Sequence, residues 1–127
     1  MSAVVLDTGA LIALERNDRA LWSVLRLTAS VGADVVVPST ALAQAWRATP
    51  AQAQLAKALQ HCVIAPFDPL ARAVGELCGR ARTKDVCDAH VALVAAAHAG
   101  VLYTSDPGDL RHLLGVHGKK TPRIVRC

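Results

Sequence analysis

The chain alternates short apolar runs with longer segments of helical pattern, and this alternation restricts the fold more than any other feature. Apolar runs of strand length predict β-strands at residues 3–6, 35–37, 62–65, 101–104 and 123–126, the last at a sheet edge. Helical patterns and capping residues predict helices at residues 9–16, 19–30, 41–47, 51–60, 70–82, 84–98 and 109–114. Strands that alternate with helices pack as a parallel sheet covered on both faces. We therefore predict an α/β fold, a three-layer α/β/α sandwich with a central parallel sheet of four to five strands.

The size and charge of the chain limit what it can bind. Its 127 residues contain no internal repeat or linker, so we predict a single domain over residues 1–127, with a core that needs no disulfides. The net charge of +4 is consistent with a polyanion partner and equally with ordinary solubility. Aromatic residues make up 3% of the chain, which argues against recognition of single-stranded nucleic acid mainly by stacking.

The cysteines and the N-terminus indicate a cytoplasmic protein. The four cysteines form no C-x-x-C pair, which favours free, buried thiols in a reducing compartment. The N-terminal segment lacks the basic start and small-residue cleavage site of a signal peptide. The longest apolar run, residues 89–97, is too short to cross a bilayer.

Four aspartates are positioned to meet at one edge of the predicted sheet. Asp7 and Asp106 follow the first and fourth strands, where ligands bind in parallel sheets. Asp85 and Asp88 are three residues apart on one helix face. Two unit charges ~4 Å apart repel by about 4 kcal/mol at an effective dielectric of about 20. Several carboxylates in one cleft therefore require a cation.

Each aspartate also has a structural explanation. Asp7 can cap a helix, Asp106 is a natural turn residue in S-D-P-G, and Asp88 can pair with a neighbouring cation, either Arg82 or Lys84. Two further acids, Asp68 and Asp109, are interpreted as helix caps. Only the joint placement of the four aspartates favours a functional site over these separate roles.

The ordered motifs of the chain resemble those of a PIN domain, and within that family a VapC-type toxin of a bacterial type II toxin–antitoxin system. The resemblance extends over almost the whole chain. It rests on VVLDT and ALIAL near the N-terminus, on DVCDAHVA beginning at Asp85, and on LYTSD ending at Asp106. No single motif is decisive, but the ordered set is fairly specific.

The resemblance implies a Mg²⁺- or Mn²⁺-dependent endoribonuclease that hydrolyses RNA phosphodiester bonds in tRNA or rRNA. It implies Asp7, Asp88 and Asp106 as metal ligands. Asp85 would complete the catalytic charge, since hard cations prefer carboxylate oxygens. Thr8 and Thr104 would contact the metal site or a phosphate.

Gln44 departs from the family pattern, which has a glutamate on this helix. An amide oxygen can ligate weakly or hold water, but it removes one negative charge. We expect a weaker metal site that relies on Asp85 for charge. A catalytically weakened PIN domain that binds RNA or acts as a scaffold is the alternative. A receiver-like or phosphatase domain would need a lysine after the fourth strand, and none follows until Lys119.

The resemblance also implies macromolecular partners. A cognate VapB-like antitoxin is expected to place a basic side chain in the acid cleft. A homodimer is expected as well, with a face drawn from Leu11, Leu14, Trp22 and Leu25, for which a simple core role is the alternative. The basic residues near the acids are candidate RNA contacts or ordinary solvated charges: Arg47, Arg80, Arg82 and Lys84.

Overall fold

The computed structural model describes residues 3–119 and 121–127 and has the predicted α/β architecture. The strands are β1 (Ala3–Leu6), β2 (Val35–Pro38), β3 (Val63–Ala65), β4 (Ala99–Thr104) and β5 (Arg123–Arg126). The α-helices are α1 (Thr8–Glu15), α2 (Arg19–Ser30), α3 (Ser39–Ala45), α4 (Ala53–Leu59), α5 (Ala71–Ala81), α6 (Val86–His98) and α7 (Pro107–His117). Two 3₁₀ turns, Pro50–Gln52 and Asp68–Leu70, precede α4 and α5.

One five-stranded sheet lies at the centre of the fold, in the order β3-β2-β1-β4-β5. Every neighbouring pair of strands is parallel. Val5 of β1 is paired with Val36 on one side and with Leu102 on the other, so β1 lies in the middle of the sheet. With the helices packed around this sheet, the three-layer α/β/α sandwich predicted from the sequence is confirmed.

The core forms around α1, α6 and the central strands. Residues 89–95 of α6 are all buried, which fits a helix that is apolar on nearly every side. Leu11 and Leu14 of α1 are fully buried, and Leu25 is 4% exposed. Since each buried leucine contributes about 2 kcal/mol, these side chains stabilise the fold. They cannot form the free dimer face that the sequence suggested, and of that set only Trp22 is partly exposed.

Several helix boundaries differ from the predictions because local side chains have other partners. α3 begins directly after Pro38 without a side-chain cap. Ser39 and Thr40, either of which the sequence would favour as the cap, have other partners. Ser39 Oγ accepts a hydrogen bond from Phe67 N at 3.0 Å, and Thr40 Oγ1 lies 2.7 Å from Nδ1 of the buried His90. Asp68 lies inside a 3₁₀ turn and caps nothing, so its predicted capping role was wrong.

Two other regions extend beyond their predicted limits. β4 begins at Ala99, so Gly100 lies within the strand and does not separate it from α6. α7 continues to His117 and is followed by Gly118, whose φ of +74° suits a glycine at a helix C-terminus.

The four cysteines are free, as predicted, but only Cys78 and Cys87 are buried. Within residues 3–119 and 121–127, no helix has the length and apolar character needed to cross a membrane.

Candidate metal centre

The acidic residues converge at the point where the sheet order reverses direction. From β1 the chain builds the sheet outward through β2 and β3, whereas β4 and β5 lie on its other side. Parallel sheets bind ligands at the carboxyl ends of the strands next to such a reversal. Asp7 directly follows β1 and Thr104 ends β4. The backbone N–H of Asp7 donates to Tyr103 O at 3.0 Å, which holds the two strand ends together.

Asp7 is held rigidly at this edge. It is 4% exposed and precedes α1 as its N-terminal cap. Its Oδ1 accepts a hydrogen bond from Thr8 N at 2.6 Å, and its Oδ2 accepts one from Thr104 Oγ1 at 2.8 Å. Burial raises the pKa of Asp7, and these two hydrogen bonds offset part of that rise. The capping role predicted for Asp7 is therefore confirmed. Its carboxylate lies at the same sheet edge as the other acids but is not among the three that lie within reach of one ion.

Thr104 connects Asp7 to the next acid in the cleft. Its hydroxyl donates to Asp7 and accepts a hydrogen bond from Asp106 N at 2.9 Å, and the residue is fully buried. A buried hydroxyl with both partners in place fixes the geometry of the strand end. The relative position of the two acids therefore depends on Thr104.

Asp85 and Asp88 occupy the first turn of α6. Asp85 Oδ1 accepts a hydrogen bond from Asp88 N at 2.9 Å, which makes Asp85 the N-terminal cap of the helix. Thr83 Oγ1 accepts a hydrogen bond from Asp85 N at 3.1 Å and orients this cap. The structure thus gives Asp85 a structural role beside the Asp88 carboxylate, in addition to any contribution of charge.

Asp88 carries the strongest electrostatic signature of the site. Burial, together with the negative charges of Asp85, Asp7 and Asp106, raises its pKa to about 7. An ion pair with Arg82 or Lys84 would lower the pKa instead. An ion pair with one of these cations, the structural alternative for Asp88, therefore does not explain its raised pKa. Within the described part of the chain, the negative charge of the carboxylate has no ion-pair partner to compensate it.

Asp109 belongs to the cluster, although the sequence analysis treated it as a cap. Asp106 occupies the N-cap position of α7, and Asp109 lies one turn further on. One carboxylate oxygen from each of Asp88, Asp106 and Asp109 lies within 4.8 Å of the others. The hydrogen bond that Asp109 shares with Asp106, and the negative charge of Asp106, raise the pKa of Asp109.

A sequence signal for Asp109 was present. Asp106 and Asp109 have the same spacing as Asp85 and Asp88, and both pairs open a helix at the sheet edge. Two such pairs that face each other bring carboxylates from two helix N-termini into one cleft. Carboxylates are also favoured at helix N-termini because of the helix dipole, so the local structure tolerates them.

Gln44 lies beside the site without entering the carboxylate cluster. It is exposed on α3, and its Oε1 accepts a hydrogen bond from Thr8 Oγ1 at 2.8 Å. Thr8 in turn donates its backbone N–H to Asp7. Gln44 is thus linked to Asp7 through Thr8, at the position where the resemblance implies an acid. A carboxylate could accept the same hydrogen bond from Thr8.

Close packing at Gly9 holds the two halves of the site together. A Cβ added at Gly9 would overlap with both Oγ and Cβ of Ser105. Gly9 lies in the first turn of α1 behind Asp7, and Ser105 immediately precedes Asp106. Only glycine allows this approach of the two segments.

One of the four candidate RNA contacts lines the acid cleft. Arg82 lies beside Asp85, Asp88 and Asp109 in a cleft of about 230 Å³. Arg47 donates from Nη1 to the carbonyls of residues 43 and 46 and so is tied to the end of α3. Arg80 and Lys84 are exposed but do not line the cleft.

The donor set suits a hard divalent cation. Mg²⁺ and Mn²⁺ prefer oxygen ligands, and Asp88, Asp106 and Asp109 offer three carboxylates within reach of one ion. Asp7 is near enough to raise the pKa of Asp88, so its negative charge also contributes to the potential at this site.

The amino-acid sequence matches no model of a known protein family, and no curated protein is detectably similar to it.

Proposed function

We propose that this protein is a metal-dependent endoribonuclease of the PIN-domain, VapC-toxin type. The observation that carries the proposal is the position of the three-carboxylate cluster at the sheet reversal, beside the buried Asp7. The motifs that resemble a PIN domain supply two of the three clustered carboxylates, Asp88 and Asp106, and the neighbouring Asp7. The proposal assigns the protein to the cytosol.

The proposed metal ligands are Asp88 and Asp106, with Asp109 added to the set implied by the resemblance. Asp7 contributes negative potential from a fixed position, because both of its oxygens already accept hydrogen bonds. When bound, Mg²⁺ or Mn²⁺ would supply Lewis-acid stabilisation of charge at phosphorus and lower the pKa of a coordinated water.

The other residues of the cleft would bind and orient the RNA. Arg82 lies on the wall beside the acids and can contact a phosphate oxygen without reading the base. Thr104 keeps Asp7 and Asp106 in register, and Asp85 holds the first turn of α6 in place for Asp88. Thr8 links Gln44 to Asp7 through its hydroxyl and its backbone N–H.

Cleavage of purified total RNA tests this proposal. The protein is incubated with Mg²⁺ or Mn²⁺, with EDTA, and as Asp88→Asn. The control variant is Asp68→Asn, an exposed aspartate without a capping bond. We expect metal-dependent cleavage by the wild type and by the control, and loss of cleavage in Asp88→Asn. Cleavage that persists in EDTA and in Asp88→Asn would refute the assignment. Sequencing of the new 5′ ends would identify the RNA target, which we propose to be tRNA or rRNA.

A catalytically weakened PIN domain that binds RNA is the second candidate. The observation in its favour is Gln44, which places an uncharged amide against Thr8 at the position where the resemblance implies a carboxylate. RNA binding without metal-dependent cleavage would support this candidate over the nuclease.

A VapB-like antitoxin is the proposed partner of either form. A basic side chain from such a partner would relieve the repulsion among the acids in the same way as a metal ion. The effect should be largest at Asp88, whose pKa the neighbouring negative charges raise. Expression from the native operon should co-purify a small protein with the chain, and isolation of the chain alone would contradict the proposal. A homodimer remains a prediction, which light scattering would test.

A further inference from the structure

A basic pocket lies between α2 and α4, away from the acid cleft. It has a volume of about 340 Å³. From α2 it is lined by Arg19, Trp22 and Arg26, which recur at three- and four-residue spacing on one helix face. From α4 and the residues that follow, it is lined by Lys57 and His61, four residues apart. The other two lining residues carry amides, so the lining contains no carboxylate.

The indole ring of Trp22 forms a fixed wall of the pocket, and exposed cationic side chains surround it. Trp22 is partly buried, and its Nε1 donates to Leu14 O at 3.3 Å, which fixes the orientation of the indole. The cationic side chains of Arg19, Arg26 and Lys57 are exposed to solvent. A concave surface lined by one sign of charge focuses the electrostatic potential and attracts the opposite charge. The pocket is therefore suited to an anionic ligand.

α1 connects this pocket to the acid cleft. The helix begins at Thr8, next to Asp7, and Trp22 is bonded to Leu14 in its last turn. Since an α-helix rises about 1.5 Å per residue, the eight residues of α1 span about 12 Å. A ligand that reached both sites would have to extend along α1 with charges repeated along its length, as a polyanion does.

We propose that this pocket binds backbone phosphates of the RNA at a distance from the bond that is cleaved. The ligand class follows from the lining, which offers guanidinium, ammonium, imidazole and amide donors with a single apolar ring. An acidic protein segment would also present apolar side chains, and an adjoining cavity lined by Trp22, Leu25 and Ala29 could receive them, so the binding experiment must distinguish it from RNA. The identification of the anion as RNA rests on the proposed function. Such contacts would increase the affinity for RNA without recognising its base sequence.

Salt-dependent RNA binding tests the pocket. The protein carries Trp46→Phe, so that Trp22 alone reports by fluorescence, and Asp88→Asn with EDTA to prevent cleavage. The probe is a short oligouridylate, titrated over a series of salt concentrations. Each cation that contacts a phosphate of single-stranded RNA contributes about 0.7 to the slope of log K against log salt. We expect Arg26→Gln and Lys57→Gln each to reduce the slope by about 0.7.

Matched controls separate contact from general charge. Arg72→Gln and Arg111→Gln remove exposed cations that line neither this pocket nor the acid cleft, and should leave the slope unchanged. Thermal unfolding followed by circular dichroism confirms that each single variant is folded. Equal slopes for pocket and control variants would overturn the proposal. Tighter binding of polyglutamate than of oligouridylate at equal salt, reduced by the same pocket substitutions, would also overturn it in favour of an acidic protein partner.

The two proposals fail in different ways. Metal-dependent cleavage of RNA by the wild type, with no change of slope in Arg26→Gln or Lys57→Gln, would refute the pocket alone. A reduced slope in these variants, with no cleavage under any metal, would refute the nuclease and support the pocket as an RNA-binding site.

Discussion

Replacing Asp88 by asparagine should stabilise the metal-free protein at a pH of about 8, because the substitution removes an unpaired charge. The pKa of Asp88 is raised from 3.8 to about 7 by burial and by Asp85, Asp7 and Asp106. Above that pKa the folded protein must hold a carboxylate that is more stable as an anion in the unfolded chain. Asparagine has nearly the same shape and carries no charge.

The size of this effect follows from the pKa shift. A shift of about 3 units corresponds to about 4 kcal/mol at roughly 1.4 kcal/mol per unit. Asp88 is only partly buried, and solvent screening reduces this to about 2 kcal/mol. The substitution also removes a negative charge from the first turn of α6, which costs about 0.3–1 kcal/mol through the helix dipole. The net gain in the free energy of unfolding should be about 1–2 kcal/mol.

The pH dependence of unfolding provides the assay. Urea denaturation is followed by circular dichroism in EDTA, from a pH of about 4 to about 8. Because the folded state of the wild type binds the Asp88 proton more tightly than the unfolded state, wild-type stability falls as pH rises from 3.8 through about 7. The advantage of Asp88→Asn should thus be complete above pH 7 and disappear near pH 4.

The control is Asp68→Asn, which removes an exposed aspartate that caps no helix and should change stability by less than about 0.5 kcal/mol at every pH. Lower stability of Asp88→Asn than of the wild type in EDTA above pH 7 would refute the reasoning, since it would mean that Asp88 has a favourable cationic partner.

Substitutions at three further positions test other parts of the site. Gln44→Glu keeps the hydrogen bond from Thr8 and adds a negative charge, so Mn²⁺ affinity and cleavage rate should rise; unchanged values would contradict a role for the missing acid. Thr104→Val leaves Asp7 Oδ2 without its buried donor and should lower the free energy of unfolding by about 1–3 kcal/mol in urea denaturation, whereas Thr104→Ser should stay within about 1 kcal/mol. Gly9→Ala should separate α1 from the β4–α7 connection and reduce both stability and Mn²⁺ affinity; wild-type thermal unfolding would contradict this.

Much of the fold was predictable because its signals are local. The buried strands β1 and β2 are short β-branched runs. α2 has the predicted bounds, and it begins at Arg19 because Asp18 caps it, with Oδ1 accepting from Leu21 N at 3.0 Å. The errors lie where tertiary contacts decide. Ser39 is a good capping residue in isolation, but its hydroxyl bonds to a segment 28 residues away.

The site was predictable only in part, for the same physical reason. Strand ends and helix spacing were enough to bring Asp7, Asp88 and Asp106 to one edge of the sheet. Asp109 was missed because an acid in the first turn of a helix is usually structural, and only the approach of α6 to α7 brings Asp88 to the Asp106–Asp109 pair. The basic pocket was missed because Arg26 and Lys57 come together only through the packing of α2 and α4 against α1, which sequence spacing does not reveal.

The account depends most on the claim that the acid cluster holds a divalent cation. Calorimetric titration of Mn²⁺ into the wild type and into Asp88→Asn, at a pH of about 8, measures this directly, since Asp88 is then ionised. We predict saturable binding to the wild type and a large loss of affinity in Asp88→Asn, although that variant is the more stable in EDTA. Absence of binding to the folded wild type, or equal affinity in the two proteins, would contradict the account.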